Sequence, residues 1–199
     1  RISLIFYKIF IIIEEKMNKV EIRKGLPGDA EVIAKAVFEA MGIKDVSPLL
    51  MKALTDICGM EDTLYSYNNT DIALCDGRPA GVLISYDGAD YNDMANRTFS
   101  LVAKAMGKEK LNPGTETGPG EYYMDSLYVL PEFRGKSIGK ILIENGFEEI
   151  KSKGFTRVTL LVDIVKPWLH KLYGSVGFVM ESEVMFFGEP FYKMAKKLK

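Results

Sequence analysis

A strand signal passes directly into a basic, glycine-containing turn and then into a helix near the middle of this 199-residue chain. Residues 122 to 130 are rich in aromatic and aliphatic side chains and end at Pro131, and apolar residues at helical spacing follow over residues 137 to 153. The free N–H groups and the dipole at a helix start form an anion site, which Gly135 and Gly139 let a ligand approach closely. This arrangement predicts a binding loop for an anionic ligand.

Three cations surround the same loop, so the predicted anion is a diphosphate. Arg134, Lys136 and Lys140 supply the positive charge. The Walker pattern ending in Gly-Lys-Ser/Thr and the GxGxxG dinucleotide pattern are both absent from the sequence. The residues therefore indicate phosphate binding without identifying the rest of the ligand.

Composition excludes several other classes of site. With 26 Lys plus Arg against 27 Asp plus Glu, the net charge of -1 gives no general attraction to nucleic acid or to an anionic membrane. Cys58 and Cys75 form no CxxC pair, and His170 is the only histidine, so neither a disulfide framework nor a zinc site is expected. We expect no metal cofactor and no nucleic-acid or membrane partner.

The first 13 residues are almost wholly apolar and are followed by a highly charged stretch over residues 14 to 24. The apolar run is shorter than the roughly 20 residues of a spanning helix, and no small-residue cleavage site follows it. We interpret residues 1 to 16 as a non-native or disordered extension, with the native protein starting at Met17 and located in the cytoplasm. A membrane-surface anchor is the alternative interpretation.

The remaining residues, 17 to 199, are predicted to form one α/β domain. The expected order is β-α-α-β-β, an insertion over about residues 87 to 120, and then β-α-β-α-β-β. We expect Asp29 to cap the first helix through its side chain, and Ser47-Pro48 to start the second. The insertion is interpreted either as a substrate-binding segment or as a structural addition.

Three segments in this order resemble the GCN5-related N-acetyltransferase (GNAT) family: residues 122 to 140, 161 to 163 and 172 to 178. In element order the resemblance covers about residues 20 to 198. It implies a mixed, mostly antiparallel central sheet flanked by helices. It also implies an enzyme that transfers the acetyl group of acetyl-CoA to a primary amine by direct attack in a ternary complex.

The resemblance also implies which residues hold acetyl-CoA. Arg134, Ser137 and Gly139 match the family's pyrophosphate loop. Ser137 stands where the family usually has glycine, which we expect to be tolerated if its φ is negative. Leu127 and Val129 match the strand that splays from its neighbour and bonds the pantetheine arm, with the Leu127 N–H as oxyanion donor. The full set of expected cofactor contacts is Leu127, Tyr128, Val129, Arg134, Gly135, Lys136, Ser137, Ile138, Gly139, Lys140, Lys166 and Tyr173.

Tyr173 and Asp125 are the predicted catalytic residues. Tyr173 matches the family tyrosine that protonates the coenzyme A thiolate, and a phenol with a pKa of about 10 can do so at neutral pH. The alternative is an aromatic core residue. By strand alternation Asp125 is expected to share a face with Tyr123, Leu127 and Val129, where apolar neighbours raise its pKa and suit it to act as a base. A structural carboxylate, with water acting as the base, is the alternative.

Lys166 departs from the family pattern, which usually has asparagine there. We interpret Lys166 either as a contact to the coenzyme phosphates or as a solvated residue. Trp168 is expected in the core, and the alternative is that it lines the coenzyme. His170 is expected to be a surface or half-buried helix residue rather than a catalyst. The terminal lysines Lys193, Lys196, Lys197 and Lys199 are interpreted as a solvated basic end.

The acceptor pocket is expected to form from about residues 41 to 62, the insertion, and the turn at residues 186 to 192. Acidic residues in these regions either attract a cationic amine or face solvent: Asp62, Asp87, Asp90, Asp93 and Glu116. The apolar residues of the last strands are expected in the core or on a homodimer surface: Met180, Met185, Phe186, Phe187 and Phe191. The acceptor is either a small-molecule or a protein amine. The alternatives to an enzyme are a non-catalytic acyl-CoA-binding regulatory module and a protein for a different phosphate ligand.

Overall fold

The structure is a computed structural model that describes residues 20–199, so the predictions for residues 1 to 16 and for Met17 lie outside the described residues. Within that range seven strands form one sheet: β1 Val20–Lys24, β2 Thr70–Cys75, β3 Arg78–Asp87, β4 Tyr122–Val129, β5 Arg157–Asp163, β6 Val179–Phe186 and β7 Glu189–Lys197. Their order across the sheet is β1-β2-β3-β4-β5-β7-β6. All neighbours are antiparallel except β4 and β5, which are parallel.

Helices cover both faces of this sheet. The described residues form five α-helices: α1 Ala30–Ala40, α2 Pro48–Cys58, α3 Tyr91–Ala105, α4 Ile138–Ser152 and α5 Pro167–Ser175. The predicted α/β fold with a mostly antiparallel sheet flanked by helices is confirmed, and α3 occupies the middle of the predicted insertion. None of the helices within residues 20–199 is long and apolar enough to cross a membrane.

Two buried clusters divide the core. The α1–α3 face is the side of the sheet where Ile33, Leu54 and Phe99 pack, and the α4 face is the side where Leu142 and Phe147 pack. Each cluster removes a large apolar area from water, which is the main stabilising contribution to such a fold. The sheet therefore separates two buried layers of side chains.

Helix α4 lies unusually close to the sheet because glycine faces it. A Cβ added to Gly81 on β3 would lie 3.0 Å from Ile138 Cγ2 and 3.0 Å from Leu142 Cδ1. Gly146 on the helix faces Met124 Cε at the same distance. The missing side chains let the first turn of α4 sit directly beside β3, which fixes the position of the loop that precedes it.

The two helix starts differ from each other. Ser47 Oγ accepts from the Leu50 N–H at 3.2 Å, so α2 begins as predicted. The prediction that Asp29 caps α1 through its side chain is wrong. Its carboxylate accepts from the Leu26 N–H at 2.8 Å and pairs with Arg23 at 2.6 Å. An arginine six residues upstream competes for the carboxylate, and the resulting ion pair joins β1 to the start of α1.

Two other expectations about side-chain environments are wrong. Trp168 is 61% exposed rather than buried in the core. Lys193 pairs with Glu121 at 2.7 Å, and Lys196 donates to the Val176 carbonyl at 2.7 Å, so neither belongs to a solvated basic end. Met180, like Met185, is about 60% exposed on the edge strand β6, which excludes the core for both residues and leaves the homodimer surface as a prediction. These errors share a cause, because contacts across the sheet decide burial and leave no local sequence pattern.

Candidate active site

The predicted anion loop connects β4 to α4. Phe133 is buried and anchors the loop, whereas Arg134, Lys136, Ser137 and Lys140 are exposed. The first N–H groups of a helix have no intrahelical partner. The Ser137 hydroxyl caps none of those groups in α4. The loop therefore presents backbone donors and cations to solvent on one side of the molecule.

The backbone of this loop alternates between ordinary and left-handed residues. Gly135 has a φ of +80°, and Ser137 has a φ of +59°. The condition that Ser137 needs a negative φ is therefore not met. A residue with a β-carbon costs about 1–2 kcal/mol in the left-handed region. The chain holds Ser137 there because the turn must bring the helix N-terminus around toward the cleft.

We predict that Ser137→Gly stabilises the protein. The glycine removes the Cβ strain, worth about 1 kcal/mol, which corresponds to a rise in Tm of about 2–4 °C for a chain of this size. Ser137→Ala is the matched control, because it removes the hydroxyl but keeps the β-carbon and the strain. Thermal melts of the two variants compare strain directly, and an equal Tm for both would contradict the prediction.

Arg134 is tied to the end of β4. Its Nε donates to the Val129 carbonyl at 3.0 Å, and its guanidinium carbon lies 5.8 Å from the centre of the Tyr128 ring. Lys140 pairs with Glu144 at 3.6 Å on the exposed surface of α4. The Nε contact and the Tyr128 ring orient the exposed Arg134 side chain beside the loop.

A gap opens between β4 and β5 next to this loop. The two parallel strands pair only at Tyr122 with Val158 and at Tyr123 with Thr159. The Leu130 N–H bonds to the Ala80 carbonyl of β3, so by alternation the backbone groups of residues 127 and 129 point away from β3 and into the gap. The strands are splayed as the family resemblance implied, and unpaired backbone donors line the opening.

Asp125 occupies a β-bulge in β4. Ile84 of β3 pairs with Ser126, but its neighbour Ser85 pairs with Met124, which leaves Asp125 without a partner residue in the ladder. Side chains beyond a bulge change faces. Tyr123 packs on the α1–α3 face and Leu127 and Val129 pack on the α4 face, whereas Asp125 bonds to Tyr86 of the α1–α3 face. The prediction that Asp125 shares a face with Leu127 and Val129 is therefore wrong, and the bulge is the reason.

The Asp125 carboxylate is held by two hydroxyl groups. Tyr86 donates to Oδ2 at 2.6 Å, and Ser126 donates to Oδ1 at 2.7 Å. Burial raises the pKa of Asp125 above its ordinary value, although both hydrogen bonds oppose the rise. The side chain is thus held in one orientation, and burial increases its affinity for a proton.

A second carboxyl group lies in the same buried network. Glu116 is 7% exposed and accepts from Tyr123 at 2.5 Å and from Tyr91 at 3.5 Å. Burial, followed by the charge of Asp125, raises the pKa of Glu116 well above its ordinary value. Two like charges in one apolar region disfavour simultaneous ionisation. Neither expectation for Glu116 holds, since it is neither on a pocket surface nor in solvent.

Tyr173 lies near the C-terminal end of α5, on the α4 face. Its carbonyl accepts from the Val176 and Phe178 N–H groups at 3.2 and 3.0 Å, which fixes the backbone. Its ring contacts Phe178 edge-on with the centroids 5.8 Å apart. Burial raises the pKa of the Tyr173 phenol to about 12, so it keeps its proton throughout the neutral range. The Tyr173 side chain is half-buried, so the alternative that it is an aromatic core residue fits its packing only in part.

The residues that precede α5 are joined to the end of β5. Lys166 Nζ pairs with Asp163 at 3.2 Å and lies 4.0 Å from the position of a Cβ on Gly42. The His170 ring nitrogen lies 3.0 Å from the Asp163 carbonyl oxygen, and the residue is half-buried, as expected. Residues 20–199 hold no cluster of three or more His, Cys, Asp or Glu side chains suited to a metal ion.

An apolar cavity of about 220 Å³ lies on the α1–α3 face. The three segments predicted to surround an acceptor all contribute to its walls, with Leu54 from α2, Phe99 from α3 and Phe187 from the β6–β7 turn. Helix α1 and Tyr65, which were not predicted, complete the lining. The five acidic residues considered for this role lie elsewhere: Asp62 pairs with Arg97, Asp87 accepts from the Ala89 N–H, Asp90 and Asp93 are exposed, and Glu116 is buried.

Comparison with known proteins identifies the family. The sequence profile of the acetyltransferase (GNAT) family matches residues 56–178, which is more than half of the chain. The chain belongs to the GNAT family. The match includes the cavity walls from α3, the splayed strand β4, the anion loop and Tyr173. A search of curated proteins returned no match.

Solved structures share the GNAT fold of this chain. An acetyltransferase crystal structure is 25% identical, with a TM-score of 0.73 over 90% of this chain and 100% of that one. An N-acetyltransferase from Staphylococcus aureus Mu50 is 20% identical, with a TM-score of 0.75 over 88% and 99% of the two chains. The PaiA N-acetyltransferase from Thermoplasma acidophilum, solved with coenzyme A, is 20% identical, with a TM-score of 0.56 over 90% and 99%.

This GNAT protein is therefore an acetyl-CoA-dependent N-acetyltransferase. The geometry brings Leu127, Val129 and the loop of Arg134 to one opening and places Asp125 and Tyr173 on opposite faces of the sheet. Sequence reasoning did not identify the Tyr86 contact to Asp125 or the burial of Glu116. The only sequence feature that points to these contacts is the presence of tyrosines on β3, α3 and β4. A buried tyrosine hydroxyl group usually needs a hydrogen-bond partner.

Proposed function

We propose that the protein transfers acetyl from acetyl-CoA to a primary amine by direct attack within a ternary complex. The observation that carries this proposal is the bulge at Asp125 beside the gap between β4 and β5. The bulge turns a carboxylate toward the α1–α3 face, while residues 127 and 129 offer backbone donors in the gap. A base and an oxyanion donor thus stand two residues apart on one strand.

In this proposal acetyl-CoA binds at the loop before α4. The N–H groups of residues 135 to 139, together with the Arg134 guanidinium, bind the pyrophosphate of acetyl-CoA. Tyr128 and Val129 support Arg134 from the end of β4. Lys136 and Lys140 add long-range attraction for the phosphates. Lys166 already pairs with Asp163, and its proposed contact to the phosphates requires that pair to open.

Three groups of this chain then carry the chemical step. Asp125, directly or through water, takes a proton from the bound ammonium so that the amine can attack the thioester carbon. The Leu127 N–H stabilises the oxyanion that forms. As the new C–N bond is completed, the C–S bond breaks, and Tyr173 donates its proton to the departing thiolate. The attached nitrogen loses its extra proton, through water, to the Tyr173 oxygen. Asp125 then releases to solvent the proton that it took from the ammonium, so that one proton is released in each turnover.

The test of this function is the release of coenzyme A from acetyl-CoA in the presence of single primary amines, followed with a thiol reagent. We expect acetylated amine and free thiol in equal amounts. If acetyl-CoA raises Tm but no amine releases thiol, the protein is an acyl-CoA-binding module. If a nucleotide raises Tm and acetyl-CoA does not, the loop serves a different phosphate ligand.

We predict that Arg134→Gln weakens acetyl-CoA binding. A hydrogen bond to a charged group contributes about 1.5–3 kcal/mol, so KM for acetyl-CoA should rise about 10-fold or more, while kcat changes little. The salt dependence of KM should also decrease, because one phosphate contact is lost. Lys151→Gln, which removes the same charge at the far end of α4, is the control. A KM equal to that of the control would refute the role of Arg134.

A further inference from the structure

The apolar cavity on the α1–α3 face has a composition that restricts what can enter it. Its inner wall is formed by buried apolar and aromatic side chains, among them Phe38, Leu54, Ile57 and Phe99. In the described part of the chain no carboxylate lines it, and its one charged lining residue is Lys108. A second ammonium group placed there would have no anionic partner and would meet a like charge.

One wall of the cavity belongs to the buried cluster that also contains the partner of the proposed base. Tyr65, which is 5% exposed, lines the cavity and packs in the same buried cluster as Tyr86, the residue that donates to Asp125. Burial, then the charges of Asp125 and Glu116, raise the pKa of the Tyr65 phenol, as expected if both carboxyl groups lie near this wall. Tyr65 therefore forms a wall between the cavity and the buried cluster that holds Tyr86, the partner of Asp125.

The mouth of the cavity is apolar as well. Met41, Ile43, Met106 and Phe187 all line it and are each at least 37% exposed. Exposed large apolar side chains gathered at one opening are typical of a binding site for an apolar group. Phe187 is held in place at that mouth, because its N–H bonds to the Pro113 carbonyl at 2.6 Å and its ring contacts Phe99 edge-on.

The volume sets the size of the occupant. A cavity of about 150 Å³ lined by apolar side chains accepts a benzene molecule. This one is about 220 Å³ and so has room for a phenyl ring or an alkyl chain of similar size. Such a group leaves water for an apolar surface, which is favourable without any hydrogen bond.

We propose that this cavity binds the body of the acceptor, and that the acceptor is a primary amine carrying an aromatic or aliphatic group about the size of a phenyl ring. The inference rests on the proposed function, since it assigns the amine end to Asp125. It disfavours polyamines and other multiply charged amines. A free arylalkylamine and a peptide with an N-terminal aromatic residue present the same group, so the test includes both.

The first measurement compares kcat/KM for thiol release across matched amines. Along the series from ethylamine to n-hexylamine, kcat/KM should rise about fourfold for each methylene that enters the cavity. Phenethylamine should be among the best substrates, and 1,4-diaminobutane should be at least 10-fold worse than n-butylamine. The peptide Phe-Gly-Gly, measured beside phenethylamine, identifies which carrier of the aromatic group is preferred.

The second measurement fills the cavity. Ala53→Phe on α2 and Ala105→Leu on α3 place new atoms in it from two walls. Each should lower the ratio of kcat/KM for phenethylamine to that for ethylamine at least 10-fold. Leu49→Phe is the matched control on α2, because Leu49 is 70% exposed and does not line the cavity. Thermal melts identify any variant that fails to fold. If one filling variant does not fold, the substrate ratio of the other one tests the assignment.

The two proposals fail in different ways. If 1,4-diaminobutane equals n-butylamine, or if the filling variants leave the substrate ratio unchanged, the cavity assignment is overturned and the acetyltransferase function stands. If no amine releases thiol, the proposed function fails, and the cavity is judged by binding alone. A rise in Tm with phenethylamine that Ala53→Phe abolishes then supports the assignment, and no rise overturns it.

Discussion

Replacing Tyr173 with phenylalanine should lower kcat about 100-fold or more when chemistry limits the rate. General acid catalysis contributes about 10²–10⁴-fold, and the thiolate leaves as an anion unless it is protonated. Because burial raises the pKa of Tyr173 to about 12, the acid stays protonated from neutral to mildly alkaline pH. Steady-state kcat at several pH values, with acetyl-CoA and amine both saturating, measures the effect.

Tyr173→Phe should keep its fold and its affinity for acetyl-CoA. The ring packs edge-on against Phe178, and phenylalanine retains that contact. Tyr192→Phe is the matched control, since Tyr192 also packs against the α4-face core and does not line the cavity. A Tyr173→Phe enzyme with unchanged kcat under chemistry-limited conditions would exclude the acid role and leave Tyr173 as a packing residue.

Much of the fold was predictable because its signals are local. Pro131 ends β4, and the 3.6-residue spacing of apolar side chains marks α4 up to Gly154. The resemblance of residues 122 to 178 to the GNAT family then implied a mixed, mostly antiparallel sheet flanked by helices. Local spacing and chain-breaking residues are sufficient for these features, because each depends on the conformation of the segment itself.

The details of the site were less predictable because they depend on distant contacts. The bulge at Asp125 arises from the register between β3 and β4, and no residue type marks it in the sequence. Once one residue is inserted, strand alternation assigns the following side chains to the wrong face. Ser137 adopts a left-handed φ against its own preference, because the loop and α4 together require that turn.

The burial of Glu116 could not be predicted from the sequence either. The sequence places it among glycine, proline and threonine residues, which is typical of an exposed loop. In the fold it receives a hydrogen bond from Tyr123, and the loop closes over it. The contact that buries the carboxyl group links two segments through tertiary structure, so the local composition gives no indication of it.

Replacing Asp125 with asparagine should also lower kcat about 100-fold or more, because the amide cannot accept a proton from the ammonium group. Since burial raises the pKa of Asp125, wild-type activity should decline as the pH falls through that raised pKa and the base becomes protonated. In Asp125→Asn this acidic limb of the pH profile should be absent. A variant that keeps both kcat and the acidic limb would show that water, not Asp125, is the base.

Stability should change in the opposite direction from activity in this variant. A carboxyl group whose pKa is higher in the folded state binds its proton more tightly there, so its contribution to stability is present at low pH and is lost as the pH rises through the folded pKa. Asparagine carries no charge and can still accept from Tyr86, so Asp125→Asn should melt at or above the wild-type temperature at pH 8 and lose that advantage at pH 4. Ser126→Ala, which removes the other hydroxyl contact but keeps the carboxylate, is the control. It should retain most of kcat together with the acidic limb, and that difference separates loss of the base from disturbance of the bulge.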